Sequence, residues 1–245
     1  MKYFKLFIVV LMLTVTADRC RAFQIQSGPE QVSLVELYSS EGCSSCPPAD
    51  RWLSTFEKDK RLWKDYVPVA FHVDYWDYIG WKDRFAAHQF TERQYAYSRQ
   101  WRANTVYTPG LVLNGSEWRG WRKHHSIPDS DKVNTGILTA ESAEKKIRVT
   151  FMPESAGTKW TAHYALLGMN VPSQVKAGEN SGKKLEHDFL VLKYQTQPMS
   201  SGRGRFEAEF NAFLSEFPDV SKKAVAFWVS QDTGLTPIQS LGQYL

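Results

Sequence analysis

Two cysteines, Cys43 and Cys46, are the residues of this sequence whose spacing most directly suggests chemistry. They follow an apolar run over residues 32–38 and precede two prolines, at the point where the pattern changes from strand to helix. A pair of thiols one helical turn apart at such a junction is typical of a thiol–disulfide redox site. The first thiol lies where helix N–H groups would stabilise a thiolate. We therefore predict that Cys43 is the nucleophile and that Cys46 resolves the mixed disulfide.

Two other interpretations of the pair stay open at the level of sequence. A purely structural disulfide would close a very short loop and would remove little entropy from the unfolded chain. A metal site would use both thiolates with His72 as a third ligand, and Cu(I) suits so soft a donor set. Zinc normally takes a second pair of Cys or His residues, and the chain has only three cysteines. In the redox interpretation, the sole cofactor is the Cys43–Cys46 disulfide itself.

The N-terminus is predicted to be a secretory signal peptide. A basic start is followed by an apolar run over residues 6–17, which is too short to span a bilayer comfortably. Small residues allow cleavage after Ala17 or Ala22, and we favour Ala22, which removes residues 1–22 together with Cys20. The expected mature protein is exported, periplasmic or secreted from a bacterium, has no membrane span and keeps only the Cys43–Cys46 pair.

The charge of the chain argues against a nucleic-acid partner. The formal net charge is +4, and the signal peptide carries a surplus of +3 from Lys2, Lys5, Arg19 and Arg21 against Asp18. About +1 would remain after cleavage, which is too little for a basic nucleic-acid-binding surface. The expected partners are instead a protein or small-molecule disulfide substrate and a redox partner protein.

The pattern of the first half predicts an α/β fold. Apolar runs at residues 32–38, 67–73 and 111–114 indicate strands, and helical spacing appears at residues 48–58 and 83–102. This order, with Thr108-Pro109 before the third strand, is similar to that of a thioredoxin-like fold, a mixed sheet with flanking helices. We predict such a domain over residues 23–140. Residues 141–245 carry alternating β-rich runs and are predicted to form a smaller antiparallel, sandwich-like β unit.

Three residues near the dithiol are predicted to take part in catalysis or substrate binding. Pro109 occupies the place of a cis-proline that would face the dithiol, and Thr108 would offer backbone groups to a substrate strand; an ordinary trans proline is the alternative. Glu36 interrupts the apolar strand that leads to the dithiol and could relay the proton of Cys46. Alternatively, Glu36 pairs with a lysine or arginine and is only structural.

The segment 72–83 follows the second strand, at the sheet edge where α/β proteins place ligand sites. Its aromatic rings and carboxylates suit a binding rim, and we predict substrate contacts for Trp76 and Asp77. Strand alternation puts His72 and Asp74 on one face, where they could orient each other, bind a metal with the thiolates, or hydrogen-bond in the core. Arg93, with its neighbour Gln94 in the following helix, is a candidate to reach the same segment.

Taken together, these motifs resemble a secreted bacterial family catalogued as domain of unknown function 1223, which is thioredoxin-like. The resemblance rests on VELY at 35–38, EGCSSCPPAD at 41–50, residues 72–83, TERQ at 91–94, YTP at 107–109 and GEN at 178–180. It implies the fold and the position of the site, but no activity. From the residues we expect an exported thiol–disulfide oxidoreductase. The alternatives are a copper-handling module and a non-enzymatic interaction protein whose β unit binds a partner while the dithiol is a redox-sensitive latch.

Overall fold

The computed structural model of the chain describes residues 23–124, 126–129, 132–155, 159–202 and 204–245. The predicted signal peptide, residues 1–22, lies outside these ranges. Across the described ranges, no helix is both long and apolar enough to cross a membrane. The chain has a mixed α/β structure in which strands predominate.

The strands and helices are numbered in chain order. The first strands are β1 Gln24–Gln26, β2 Ser33–Ser39, β3 Tyr66–His72, β4 Gly110–Leu113, β5 Ser116–Glu117, β6 Gly136–Ala143, β7 Lys146–Pro153 and β8 Trp160–Met169. The later strands are β9 Val171–Gln174, β10 Lys184–His187, β11 Leu190–Pro198, β12 Ser200–Gly202, β13 Arg205–Asn211, β14 Lys222–Gln231 and β15 Pro237–Tyr244. The helices are α1 Pro47–Ser54 and α2 His88–Gln100, with 3-10 turns at Thr55–Lys58, Asp74–Ile79 and Gly120–Arg122.

The larger sheet is mixed and has the strand order β15-β14-β8-β11-β3-β2-β4-β5. Strand β2 is parallel to β3 and antiparallel to β4, and β4 is antiparallel to β5. Strand β11 continues the sheet beyond β3, to which it is parallel at Leu190 and Ala70. Hydrogen bonds therefore connect the predicted first domain to strands of the predicted β unit within one sheet. The boundary between residues 140 and 141 stays a prediction.

A second sheet, in the order β1-β6-β7-β13-β12, packs against one face of the larger sheet. Its strands alternate buried and exposed residues, as expected for a sheet with one face in a core. The core between the two sheets includes Leu138 and Val149 from the smaller sheet and Tyr164 and Phe227 from the larger one. The C-terminal half thus supplies strands to both sheets.

The main core surrounds β2 and β3, whose residues are buried along the whole length of both strands. This explains why both strands appear in the sequence as nearly continuous apolar runs. Helix α1 adds Ala49 and Leu53 to this core, and α2 adds Phe90 and Tyr97. Strand β2 ends at the turn that carries the cysteines, and β3 ends at the turn Asp74–Ile79. Strand β4 begins directly after Pro109, so three of the predicted site segments adjoin one region of the sheet.

Candidate functional site

Cys43 and Cys46 form a disulfide in the turn between β2 and α1, with their Cα atoms 5.4 Å apart. This separation is ordinary for a disulfide. Cys43 is 1% exposed and Cys46 is fully buried, whereas Ser44 and Ser45 between them are exposed. An attacking thiolate can therefore reach the sulfur of Cys43 only after neighbouring groups move.

Few backbone N–H groups of α1 are available to stabilise a Cys43 thiolate. The helix begins with Pro47 and Pro48, which have no N–H group. The next amide, that of Ala49, donates to the carbonyl of Cys46 at 2.9 Å. The stabilisation predicted from the sequence is thus reduced to the helix dipole and to local hydroxyl groups.

One hydroxyl group does reach the nucleophile. The Sγ atom of Cys43 lies 3.3 Å from the Oγ atom of Ser45. This distance suits a weak hydrogen bond with sulfur, and the hydroxyl of Ser45 would donate to a thiolate. Ser45 is therefore a local stabiliser of the charged form of Cys43.

The loop between β9 and β10, residues 175–183, covers the cysteine turn. The buried Nδ2 group of Asn180 donates to the carbonyls of Glu41, at 2.8 Å, and Cys43, at 2.9 Å. The backbone N–H of Ser44 donates to Oε2 of Glu179 at 2.9 Å. Residues 178–180 entered the sequence analysis only through the family resemblance, and their role as a cover became visible only in the fold.

The peptide bond between Thr108 and Pro109 is cis, as predicted from the sequence. Trp76 donates its Nε1–H to the hydroxyl of Thr108 at 2.7 Å. The same tryptophan packs on Gly42, where an added Cβ would lie only 3.0 Å from the Cβ of Trp76. Trp76 therefore contacts both the residue before Cys43 and the loop of Pro109.

Two further polar contacts hold the rim in place. Gln94 accepts a hydrogen bond from the hydroxyl of Tyr75 at 3.1 Å and donates to the carbonyl of Tyr107 at 2.8 Å. Asp77 accepts a hydrogen bond from the backbone N–H of Asp83 at 3.1 Å, which links two positions of the segment 72–83. Gln94 therefore contacts the segment 72–83, a contact that the sequence had suggested. The role of Asp77 in substrate binding stays a prediction.

Glu36 forms a buried ion pair with Arg93, its Oε2 atom lying 2.7 Å from the Nε of the guanidinium. The hydroxyls of Tyr38 and Tyr97 also donate to this carboxylate. Burial lowers the pKa of Arg93, but the attraction of Glu36 outweighs that effect and raises it. Glu36 thus has the arginine partner that the sequence analysis gave as the alternative to a catalytic role. A role of Glu36 in proton transfer stays a prediction. Arg93 points to Glu36 rather than to the segment 72–83.

His72 is buried and its Nδ1 atom lies 2.7 Å from Oδ2 of Asp83, not beside Asp74. Asp74 instead accepts the hydroxyl of Thr91 and lies 3.2 Å from the ring of His88. His72 and Asp74, which the sequence placed on one face, do not pair, because β3 ends at His72 and a 3-10 turn begins at Asp74, so strand alternation does not extend that far. Burial raises the pKa of Asp83, but the charge and hydrogen bond of His72 outweigh it and lower the pKa to about 2.

A second buried histidine, His187 at the end of β10, was missed by the sequence analysis. Its ring centroid lies 4.8 Å from that of His72. Its Nε2 atom is 3.4 Å from Oε1 of Glu41, and its Nδ1 atom is 3.6 Å from Oδ2 of Asp50. Burial lowers the pKa of His187, but these two carboxylates outweigh it and raise the pKa to about 10. No local sequence signal marks His187, because its partners come from distant segments.

Among the described residues, the side chains that could bind a metal ion together with His72 are those of Asp50 and His187. The two cysteines are not part of this group. Asp50 belongs to α1, one turn after Cys46, and its backbone N–H donates to the carbonyl of Cys46 at 3.1 Å. The copper set Cys43, Cys46 and His72 therefore stays a prediction, while the fold assembles a different polar cluster beneath the dithiol.

The chain is similar to two solved structures. A protein of Agrobacterium tumefaciens solved as a structural-genomics target shares 27% identity, with 89% of this chain and 96% of that chain covered, at a TM-score of 0.62. HBP35 of Porphyromonas gingivalis shares 14% identity, with 89% and 76% covered, at a TM-score of 0.61, which is a likeness of fold alone. No curated protein matches the chain.

The family model described as protein of unknown function (DUF1223) matches residues 34–230. This match contains the two cysteines, the covering loop and the buried polar cluster. The chain belongs to the DUF1223 family.

Proposed function

We propose that the protein is an exported thiol–disulfide oxidoreductase of thioredoxin-like fold, which exchanges the Cys43–Cys46 disulfide with a protein or small-molecule substrate. The observation that carries this proposal is the disulfide itself, in the turn between β2 and α1. The short loop makes it a poor staple for a chain that already has two large cores. Its sulfur atoms are therefore free to serve in chemistry.

The surrounding topology supports the same proposal. Helix α1 connects the parallel strands β2 and β3, and α2 precedes the antiparallel hairpin of β4 and β5. This gives the strand order β3-β2-β4-β5, with the cysteines at the start of α1 and Pro109 before β4. The order agrees with the thioredoxin-like pattern that the sequence suggested. Trp76 and Thr108 flank the cysteine turn and are the proposed substrate-contacting groups.

The exchange takes place in two thiol–disulfide steps. The Cys43 thiolate attacks one sulfur of a substrate disulfide, so a bond forms between them while the substrate S–S bond breaks and its second sulfur leaves as a thiolate. The Cys46 thiolate then attacks the sulfur of Cys43 and releases the first substrate sulfur. Two electrons pass to the substrate, and the protein is left as its disulfide. The reverse sequence oxidises a substrate dithiol, and the relative potentials of protein and substrate set the direction.

The proposal is tested with the mature chain, residues 23–245, in insulin reduction and in turnover of a small aromatic disulfide. We expect activity in the wild type, none in Cys43→Ser, and a trapped covalent complex with substrate in Cys46→Ser, seen by mass spectrometry. Ser215→Ala, which changes an exposed hydroxyl away from the turn, is the control and should keep full activity. Equal rates in the wild type and Cys43→Ser would overturn the proposal.

A further inference from the structure

Three buried side chains converge beneath the cysteine turn: Asp50 from α1, His72 from the end of β3 and His187 from the end of β10. Each offers one ligand atom, and these atoms all lie within 4.8 Å of one another. Asp50 is 8%, His72 0% and His187 2% exposed. The chain therefore builds a compact, water-excluded set of two imidazoles and one carboxylate from three separate segments.

Several polar atoms in this cluster have no hydrogen-bond partner among the described residues. They are Nε2 of His72, both ring nitrogens of His187 and Oε1 of Glu41, although Nε2 of His187 and Oε1 of Glu41 face each other at an ion-pair distance of 3.4 Å. Buried polar groups are normally satisfied, and a cluster of unsatisfied ones calls for an unseen water or ion. These atoms belong to neighbouring side chains, so a single bound species could satisfy several of them.

Outer groups orient each of the three side chains. Asp83 contacts Nδ1 of His72 at 2.7 Å and so leaves Nε2 free. The hydroxyl of Ser39 donates to Oδ1 of Asp50 at 2.7 Å and leaves Oδ2 toward His187. Oε1 of Glu41 lies 3.4 Å from Nε2 of His187, which leaves Nδ1 toward Asp50. Carboxylate and hydroxyl groups behind the ligands are the usual supports of a metal centre.

Charge balance points in the same direction. Three buried carboxylates, those of Glu41, Asp50 and Asp83, surround two imidazoles, and the ion pairs of the described residues give these carboxylates only histidine partners. Buried charges are stable when paired or when they coordinate a metal. Imidazole nitrogens with a carboxylate oxygen suit Zn²⁺ and its transition-metal neighbours, whereas Ca²⁺ and Mg²⁺ prefer all-oxygen sites and Cu(I) prefers sulfur.

We propose that Asp50, His72 and His187 form a binding site for a divalent transition-metal ion such as Zn²⁺. The ligand atoms are Oδ2 of Asp50, Nε2 of His72 and Nδ1 of His187, with Asp83, Ser39 and Glu41 as the orienting groups. The metal ion takes the place of the proton that Nδ1 of His187 otherwise carries toward Asp50, and this proton is released to solvent on binding. The site uses no thiolate, so it binds metal while the disulfide is intact. It does not depend on the proposed redox function.

The test is a titration of the mature protein with Co²⁺, after treatment with chelator and with the Cys43–Cys46 disulfide verified by a thiol assay. We expect one equivalent of Co²⁺ to give a visible d–d spectrum without a sulfur-to-metal charge-transfer band, and Zn²⁺ to displace it. Asp50→Asn and His187→Gln should each weaken binding by about tenfold or more. His88→Gln, which removes an exposed imidazole beside another aspartate, is the matched control and should bind like the wild type.

Two further measurements control for misfolding of the variants and for redox activity. Zn²⁺ should raise the melting temperature of the wild type and of His88→Gln, but not that of folded Asp50→Asn. The double variant Cys43→Ser/Cys46→Ser should keep the cobalt spectrum although it has lost any disulfide exchange. Absence of stoichiometric binding by the disulfide form, unchanged affinity in Asp50→Asn, or a sulfur charge-transfer band would each overturn the proposal.

Discussion

The carboxylate of Glu179 accepts the backbone N–H of Ser44 at 2.9 Å, although 135 positions separate the two residues in the sequence. The hydrogen bonds from Ser44 lower the pKa of Glu179, so this carboxylate is ionised at neutral pH. It places a negative charge on the backbone N–H of Ser44, the residue that follows Cys43. The loop that covers the dithiol therefore also opposes the charged form of the nucleophile.

The first prediction concerns this charge. In the reduced protein, Glu179→Gln should lower the pKa of the Cys43 thiol, because a neutral amide keeps an oxygen acceptor for Ser44 but removes the repulsion. The pH dependence of alkylation by iodoacetamide measures this pKa. Glu144→Gln changes an exposed carboxylate in the turn between β6 and β7 and serves as the control. An unchanged or raised Cys43 pKa in Glu179→Gln would contradict the argument.

The second prediction concerns the cover itself. Asn180→Ala removes the donor shared by the carbonyls of Glu41 and Cys43 and leaves two buried acceptors without it. We expect a loss of about 1–3 kcal/mol in the free energy of unfolding. The disulfide should also be reduced faster by dithiothreitol under native conditions, because Cys43 becomes accessible.

Urea unfolding and the rate of thiol release measure these two effects. The control is Asn211→Ala, which removes an exposed asparagine at the end of β13. If Asn180→Ala lost stability but kept the wild-type reduction rate, the covering loop would be a structural support and not a barrier to the dithiol.

The position of the dithiol could be predicted because its signals are local. An apolar strand, two cysteines, two prolines and a helical pattern follow one another within about one supersecondary unit, and the same holds for Thr108-Pro109 before β4. Local alternation failed at Asp74, because the prediction assumed that β3 continued beyond His72. The turn at Asp74–Ile79 redirects the chain, and Asp83 takes the place beside His72.

The partners from the second half could not be predicted, because a long-range contact brings them to the site. Strand β11 pairs with β3 at a single register position, Leu190 with Ala70, and so places the β9–β10 hairpin beside the cysteine turn. Asn180 and His187 lie on that hairpin; the family resemblance marks Asn180 without indicating a role, and nothing in the immediate sequence marks His187. Their roles follow from the burial and contacts that the sheet imposes.

The third prediction separates the two interpretations of Glu36. Arg93→Met should destabilise the fold by about 3–5 kcal/mol, because it leaves the Glu36 carboxylate buried without its cationic partner. The double variant Glu36→Gln/Arg93→Met should recover part of that loss, since both charges are gone. Urea unfolding of the wild type, both single variants and the double variant gives the coupling energy of the pair.

Disulfide turnover by the folded variants then decides whether Glu36 also moves a proton. A structural carboxylate predicts that the double variant keeps the wild-type pH–rate profile. A proton relay to Cys46 predicts a lower rate and an altered profile, even where the protein is fully folded. If Arg93→Met left the free energy of unfolding unchanged within error, the argument that this ion pair stabilises the fold would be wrong.

The fourth prediction concerns His163, which is buried beside the rings of Tyr194 and Trp228, with ring centroids 6.1 and 5.0 Å away. Its ring nitrogens contact the hydroxyls of Tyr194 and Ser230, and the charge that acts on it is that of Arg93, itself paired with Glu36. Burial first, and the repulsion of Arg93 second, lower the pKa of His163 well below that of an ordinary histidine. The folded state therefore keeps this histidine neutral at pH values where the unfolded chain protonates it.

Stability from a neutral buried histidine is complete above the unfolded pKa of about 6.5 and is lost as the pH falls, because the unfolded state then binds more protons. Between pH 6.5 and 5 we expect His163 to make the free energy of unfolding fall with a slope that starts near half of, and approaches, about 1.4 kcal/mol per pH unit. Urea unfolding at several pH values measures this slope. His163→Gln should flatten it, since glutamine does not titrate, whereas the exposed His88→Gln should retain it. If His163→Gln and the wild type had the same slope, a group other than His163 would govern the loss of stability in acid.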